Sequence, residues 1–264
     1  MIEYDPNTQY YKFLKSGGKP AIAQTRMRWK LPTVSEEHGI VPGKWNTVRQ
    51  PIYPCVSGLH VTTAEEAYRW TSTELYEVEI DPRVHKVRSN SPLGKKTFEY
   101  QSVVGDLNKL VCRRVRLVRH VPEWNQRAEW DFCRTVLRVM RDAIAEREAS
   151  YGDAIDGYQR YMDSIDYIIN AEHLTLKEQE AISSSLLNAQ WYNSEALGGV
   201  GPNVRRTRWR TLITTAQRLN GSRIECSPQV VASYHKFLAT DNDYRDPTFH
   251  PSVTGFIPAL LARS

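Results

Sequence analysis

Three groups of side chains in this sequence have the types and spacing to do chemistry. The first is arginine. Arg113, Arg114, Arg116 and Arg119 fall in one run, and Arg205, Arg206, Arg208 and Arg210 surround Trp209. Guanidinium groups beside an aromatic ring neutralise phosphate and stack on bases. With Arg26 and Arg28, which alternate with Met27 and Trp29, the anion-binding candidates are Arg26, Arg28, Arg114, Arg116, Arg205, Arg206, Arg208 and Arg210. The second group is acidic: Asp142, Glu146, Glu148, Asp153 and Asp156. Metal-dependent hydrolysis needs carboxylates converging on one point, but Arg141 and Arg147 interleave with these, which reads as a solvated face of mixed sign. The third is the segment Ser57-Gly58-Leu59-His60-Val61-Thr62-Thr63-Ala64-Glu65-Glu66-Ala67, followed by Leu75-Tyr76-Glu77-Val78-Glu79-Ile80. It reads as a glycine, a short strand, a capped helix and a second strand.

Several chemistries find no support. Cys55, Cys112, Cys133 and Cys226 are scattered without a CxxC pair, so no metal site is expected, and the thiols are expected to be reduced and mostly buried. The segment Gly198-Gly199-Val200-Gly201 lacks the lysine and the strand–loop–helix setting of a phosphate cradle, and no HExxH, GxSxG or DFG occurs. No cofactor is expected. No stretch approaches the roughly 18 apolar residues of a membrane-crossing helix, so no membrane partner is expected. The opening MIEYDPNTQYYKFLK has no apolar core of the kind a secretory leader needs.

Charge is sorted along the chain. Its formal net charge is +5 over 264 residues. Residues 1–122 carry 19 basic and 12 acidic side chains, residues 123–200 carry 7 and 14, and residues 201–264 carry 9 and 4. Such blocks point to local polyanion contacts or to charge pairing within the chain or between subunits.

The elements that position these residues change at Pro122. Before it, Arg26–Leu31 and Glu74–Ile80 alternate like half-buried strands, Tyr10–Lys15 and Gly58–Thr62 read as short strands and Leu110–Val121 as the longest, and proline-rich 32–57 reads as an irregular connection. Thr63 and Glu66 form a capping box that predicts a short helix through Ala67 and Trp70. After it, apolar residues recur at three- and four-residue spacing over 127–149, 154–171 and 204–219. Thr175 and Glu178 form a second capping box, and Ser227-Pro228 opens a further helix. The expected class is therefore α+β: a β-rich mixed domain over 1–122 followed by an all-α helical domain over 123–264.

The segments Pro54-Cys55-Val56-Ser57-Gly58-Leu59-His60, Leu75–Glu79 and Arg116–Arg119 resemble a pattern in uncharacterised bacteriophage and actinobacterial proteins, and that resemblance spans most of residues 10–150. More loosely, Gly58–Ala67 with Glu77-Val78-Glu79 is similar to the strand–helix unit and Glu-x-Glu of ADP-ribosyltransferase folds. That second resemblance implies NAD as substrate and a catalytic set of His60 and Tyr76 holding the dinucleotide with Glu79 beside the ribose, and Arg26 or Arg28 meeting the diphosphate.

The leading expectation is a phage-type accessory or structural protein that works by binding. Its partner would be nucleic acid or an acidic protein surface, with homo-oligomers expected, in the host cytoplasm or the virion. The alternatives are an ADP-ribosyltransferase-like enzyme acting on a macromolecule and a host-directed inhibitor.

Overall fold

The computed structural model describes residues 2–20, 27–49, 51–54, 57–83, 85–91, 94–106, 108–151, 166, 169–170, 174–178 and 250–263, with the backbone alone over 85–100. The chain divides into two compact units, Met1–Trp124 and Asn125–Arg263.

The first unit is built from β1 (Tyr10–Lys15), β2 (Lys19–Pro20), β3 (Thr33–Ser35), β4 (Gly39–Val41), β5 (Asn46–Thr47), β6 (Leu59–Val61), β7 (Glu74–Ile80), β8 (His85–Ser91), β9 (Gly94–Tyr100), β10 (Val103–Gly105), β11 (Leu110–Cys112) and β12 (Arg114–His120). A five-stranded sheet runs in the order β2-β1-β7-β12-β5 and a three-stranded sheet in the order β10-β11-β6, with every pairing antiparallel. An isolated bridge between Tyr11 and Thr62, closed by reciprocal backbone hydrogen bonds, ties β1 to the end of β6.

Alternation decides what each face buries. From β7, Tyr76, Val78 and Ile80 enter a core shared with Tyr10 and Leu14 of β1, Val115 and Leu117 of β12, Leu59 and Val61 of β6, and Leu110 and Cys112 of β11. Leu75 faces the other way, paired in register with Phe13. Phe13 meets Trp124 edge-on at 5.1 Å, and the Trp124 indole N–H donates to the Ser72 carbonyl at 2.7 Å. Burying each such ring or aliphatic chain contributes about 1.5–3 kcal/mol.

Leu110–Val121, expected as one strand, is two. The chain passes from the three-stranded to the five-stranded sheet at Arg113, a buried residue whose amide donates to Ser102 and whose guanidinium donates to the carbonyls of Val48 and Arg49. Three other local expectations change. Residues 27–32 form no strand; only Trp29 of that run is buried, its amide donating to Gly18. The proline-rich connection contains the β3–β4 hairpin. The short helix expected through Ala67 and Trp70 is present as a 3-10 turn, Ala67–Trp70, rather than an α-helix.

The second unit opens with α1 (Gln126–Tyr151), whose first turn is capped by the Asn125 side-chain oxygen accepting from the amides of Arg127 and Ala128 at 3.0 and 3.1 Å. Trp130, Cys133 and Leu137 of the expected stripe are buried. Phe132 meets Phe256 edge-on at 5.4 Å, and α2 (Pro251–Thr254) and α3 (Phe256–Leu261) are short. The Thr175–Glu178 capping box is present, with hydrogen bonds in both directions.

The expected all-α C-terminal domain is corrected by this structure. The described residues are β-rich, and beyond Trp124 they show one long helix and two short ones, with helical residues at 166, 169 and 176–178 and no all-helical domain. The physical reason lies in the signal used. An apolar stripe of helical period shows that a segment can be amphipathic, not that several such segments pack into one core. Most of the stripe over 154–171 and all of those over 204–219 and after Ser227 lie outside the described residues.

Gly58 sits at φ +133°, and a Cβ there would run into the Val111 side chain. Gly58→Ala is expected to lose about 1–3 kcal/mol by overpacking alone, visible as a lower urea midpoint with an unchanged slope.

Candidate functional site

The arginines of β12 are spent within the sheet. The register sets Arg116 opposite Glu79 and, past a bulge between Leu117 and Arg119, Arg119 opposite Glu77. Arg116 Nε donates to Glu79 at 2.7 Å, and Arg119 meets Glu77 at 2.6 Å. Arg114 meets the buried Asp81 at 2.8 Å, while Arg83 forks onto the same carboxylate at 2.7 and 2.6 Å. Trp45, at the sheet edge before β5, presents its ring to both Arg114 and Arg116, with guanidinium carbons 4.6 and 4.8 Å from the ring centre. Cross-strand pairs as exposed as Arg116–Glu79 contribute about 0.2–1 kcal/mol each. The chief effect is on availability: the Arg114 and Arg116 guanidiniums already have carboxylate partners.

Of the other anion-binding candidates, Arg28 is exposed and donates to the Gly17 carbonyl at 3.3 Å. Arg26, Arg205, Arg206, Arg208 and Arg210 lie outside the described residues.

His60, Tyr76 and Glu79 do not share a face. Tyr76 and Glu79 are three apart on one strand, so alternation sends them to opposite sides. Tyr76 is in the core, its hydroxyl donating to Glu74 at 2.9 Å, and burial holds its pKa well above the phenol range. Glu79 is exposed on the outer face and held by Arg116. His60 is on β6 between two core residues and opposite Val111. Its Nε2 is buried and has no hydrogen-bond partner. Burial, then the nearby Lys12 and Lys109 ammoniums, push its pKa down to about 3, so the imidazole is neutral.

Two features escaped the sequence reading. One is Lys12, a single cation in the otherwise apolar strand Tyr10–Leu14. The other is the β3–β4 hairpin, in register Thr33–Val41, Val34–Ile40 and Ser35–Gly39. Ser35 Oγ accepts from the amides of Glu37 and His38, and Gly39 closes the turn at φ +65°. Val34 and Ile40 form a cross-strand pair that is 85% and 53% exposed. In sequence, Val34 and Ile40 flank Glu36-Glu37-His38-Gly39, a turn between two β-branched residues that was legible but masked by the surrounding prolines.

No family model, no curated protein and no solved structure matches this chain. Among the described residues, no group of His, Cys, Asp and Glu is placed to hold a metal ion, and no helix is long and apolar enough to cross a membrane.

Asp81 is 5% exposed, and its hydrogen bonds to Arg83 hold its pKa at about 2, below the usual carboxylate value of 3.8. A lowered carboxylate pKa stabilises the fold above pH 3.8, and that contribution is lost as the pH falls toward 2. Asp81→Asn is expected to cost about 1–3 kcal/mol at neutral pH through lost charge-assisted bonds. In urea melts across pH, the gap from wild type should narrow between pH 4 and pH 2.

Proposed function

We propose that this chain is a phage-type accessory or structural protein that acts by binding a protein subunit, and that the subunit is a second copy of itself. The observation that carries this reading is the exposed Val34–Ile40 pair. The β3–β4 hairpin forms a two-stranded sheet of its own, and an isolated hairpin with an apolar face in water is marginal. An apolar cross-strand pair beside open strand edges is a template for association.

Charge supports the choice of occupant. The hairpin tip is acidic at Glu36 and Glu37, both exposed, whereas residues 1–122 carry 19 basic against 12 acidic side chains. Acidic tips therefore meet a basic unit when copies associate. The paired state of Arg114 and Arg116 favours a protein partner over nucleic acid, because neutralising phosphate would first require breaking existing ion pairs. The setting of this role is the host cytoplasm or the virion.

Replacing the apolar pair by a cross-strand ion pair, Val34→Lys with Ile40→Glu, keeps hairpin pairing while removing its apolar face. Sedimentation velocity should show a wild-type oligomer that weakens with dilution and with salt, and a double variant that stays monomeric with an unchanged circular dichroism spectrum. A wild-type chain that is monomeric at every concentration, or a variant that associates equally well, contradicts the reading.

A further inference from the structure

Lys12 occupies an unusual position. Alternation along β1 places it on the inner face with Tyr10 and Leu14, both core residues. Tyr76 of β7 is directly opposite it, and His120 of β12 is directly opposite Tyr76. The three residues form a row across the inner face, with the Tyr76 and His120 rings edge to face at 5.2 Å. The Lys12 ammonium stands 5.5 Å from the centre of the Trp29 ring, and the side chain is only half-buried, so this face can be reached from solvent.

The charges around Lys12 do not balance. Among the described residues no carboxylate pairs with it. Glu74 accepts from the Tyr76 hydroxyl, and Asp106 is engaged by Lys109 at 3.4 Å. Lys109 itself adds a repulsive positive charge, and Cys112, its thiol pushed up to about 12 by burial, supplies no negative one. Burial and Lys109 lower the Lys12 amine to about 8, which leaves it mostly protonated at neutral pH. A partly desolvated ammonium without a carboxylate partner is less stable than a paired one, and an anion bound beside it supplies the missing counter-charge. The neighbouring His120 imidazole adds hydrogen-bonding capacity at the same face, whereas the single Tyr76 O–H is already given to Glu74.

We propose that the inner face at Lys12 binds a small oxyanion, with the Lys12 ammonium as its charge partner and Tyr76 and His120 flanking it. The ligand chemistry is that of a phosphate or carboxylate group, free or at the end of a larger molecule. This site is independent of the hairpin: it lies on the inner sheet face and does not require association.

The test uses the full chain with inorganic phosphate, acetate and a chloride control at constant ionic strength. Thermal melts should rise with phosphate or acetate concentration beyond the chloride control, and whichever gives the larger rise identifies the preferred oxyanion. Lys12→Met should abolish the response while melting no lower than wild type in chloride, because an apolar isostere replaces an uncompensated charge. Lys12→Arg should keep it. A second readout needs no variant: acetic anhydride labelling of the wild-type chain, mapped by mass spectrometry, should show Lys12 protected by the oxyanion while the exposed Lys15 and Lys19 are unaffected. Melts indifferent to both anions, a Lys12→Met chain that responds like wild type, or labelling of Lys12 unchanged by the anion would each overturn the proposal.

Discussion

Strand β7 has to satisfy two unlike surfaces at once, and its period of two is the constraint from which the rest of the first unit follows. Tyr76, Val78 and Ile80 are committed to the apolar core, so Glu77 and Glu79 must emerge on the reverse side. There they require cations at the matching register of β12. Arg116 and Arg119 supply them, the bulge after Leu117 keeping both faces in step. Asp81 extends the series past the strand end with Arg114 and Arg83. A one-residue slip of β7 against β12 would bury the carboxylates and expose the core residues, so the ion pairs and the core specify the same alignment.

That constraint also reassigns the residues with chemical potential. Alternation alone parts Tyr76 from Glu79. It turns the β12 arginines, which in sequence look like a polyanion strip, into internal partners. The same rule applied to β1 puts one cation, Lys12, among core residues, where its charge has no carboxylate partner among the described residues. Among the described residues of this unit, the features left for binding include the half-buried Lys12, a neutral histidine with an unpartnered nitrogen, and an apolar pair on a two-stranded hairpin.

Glu74–Ile80 was legible as β7 because alternation is a local signal, and the short β-type run Tyr10–Lys15 coincides with β1. Helix α1 was legible from its spacing of Trp130, Cys133 and Leu137. The break at Arg113 was not, because leaving one sheet for another depends on distant carbonyls at Val48, Arg49 and Ser102 rather than on nearby residues. Nor was the pairing of the arginines, since the acidic partners lie 33 to 37 residues away for Arg114 and Arg116. The hairpin over 33–41 was hidden by a rule that reads prolines as irregular backbone, although Pro32 and Pro42 merely bound it. The all-helical C-terminal domain was inferred from amphipathic stripes, which carry no information on what their apolar faces pack against.

The proposed association runs through the hairpin and leaves the arginine ladder untouched. Hydrogen exchange, followed by mass spectrometry on dilute and concentrated samples, measures this directly. Raising the concentration should slow exchange at the amides of residues 33–41 and leave those of β12 unchanged. Exchange that is independent of concentration at the hairpin, or protection that appears at Arg114–His120 instead, would contradict it.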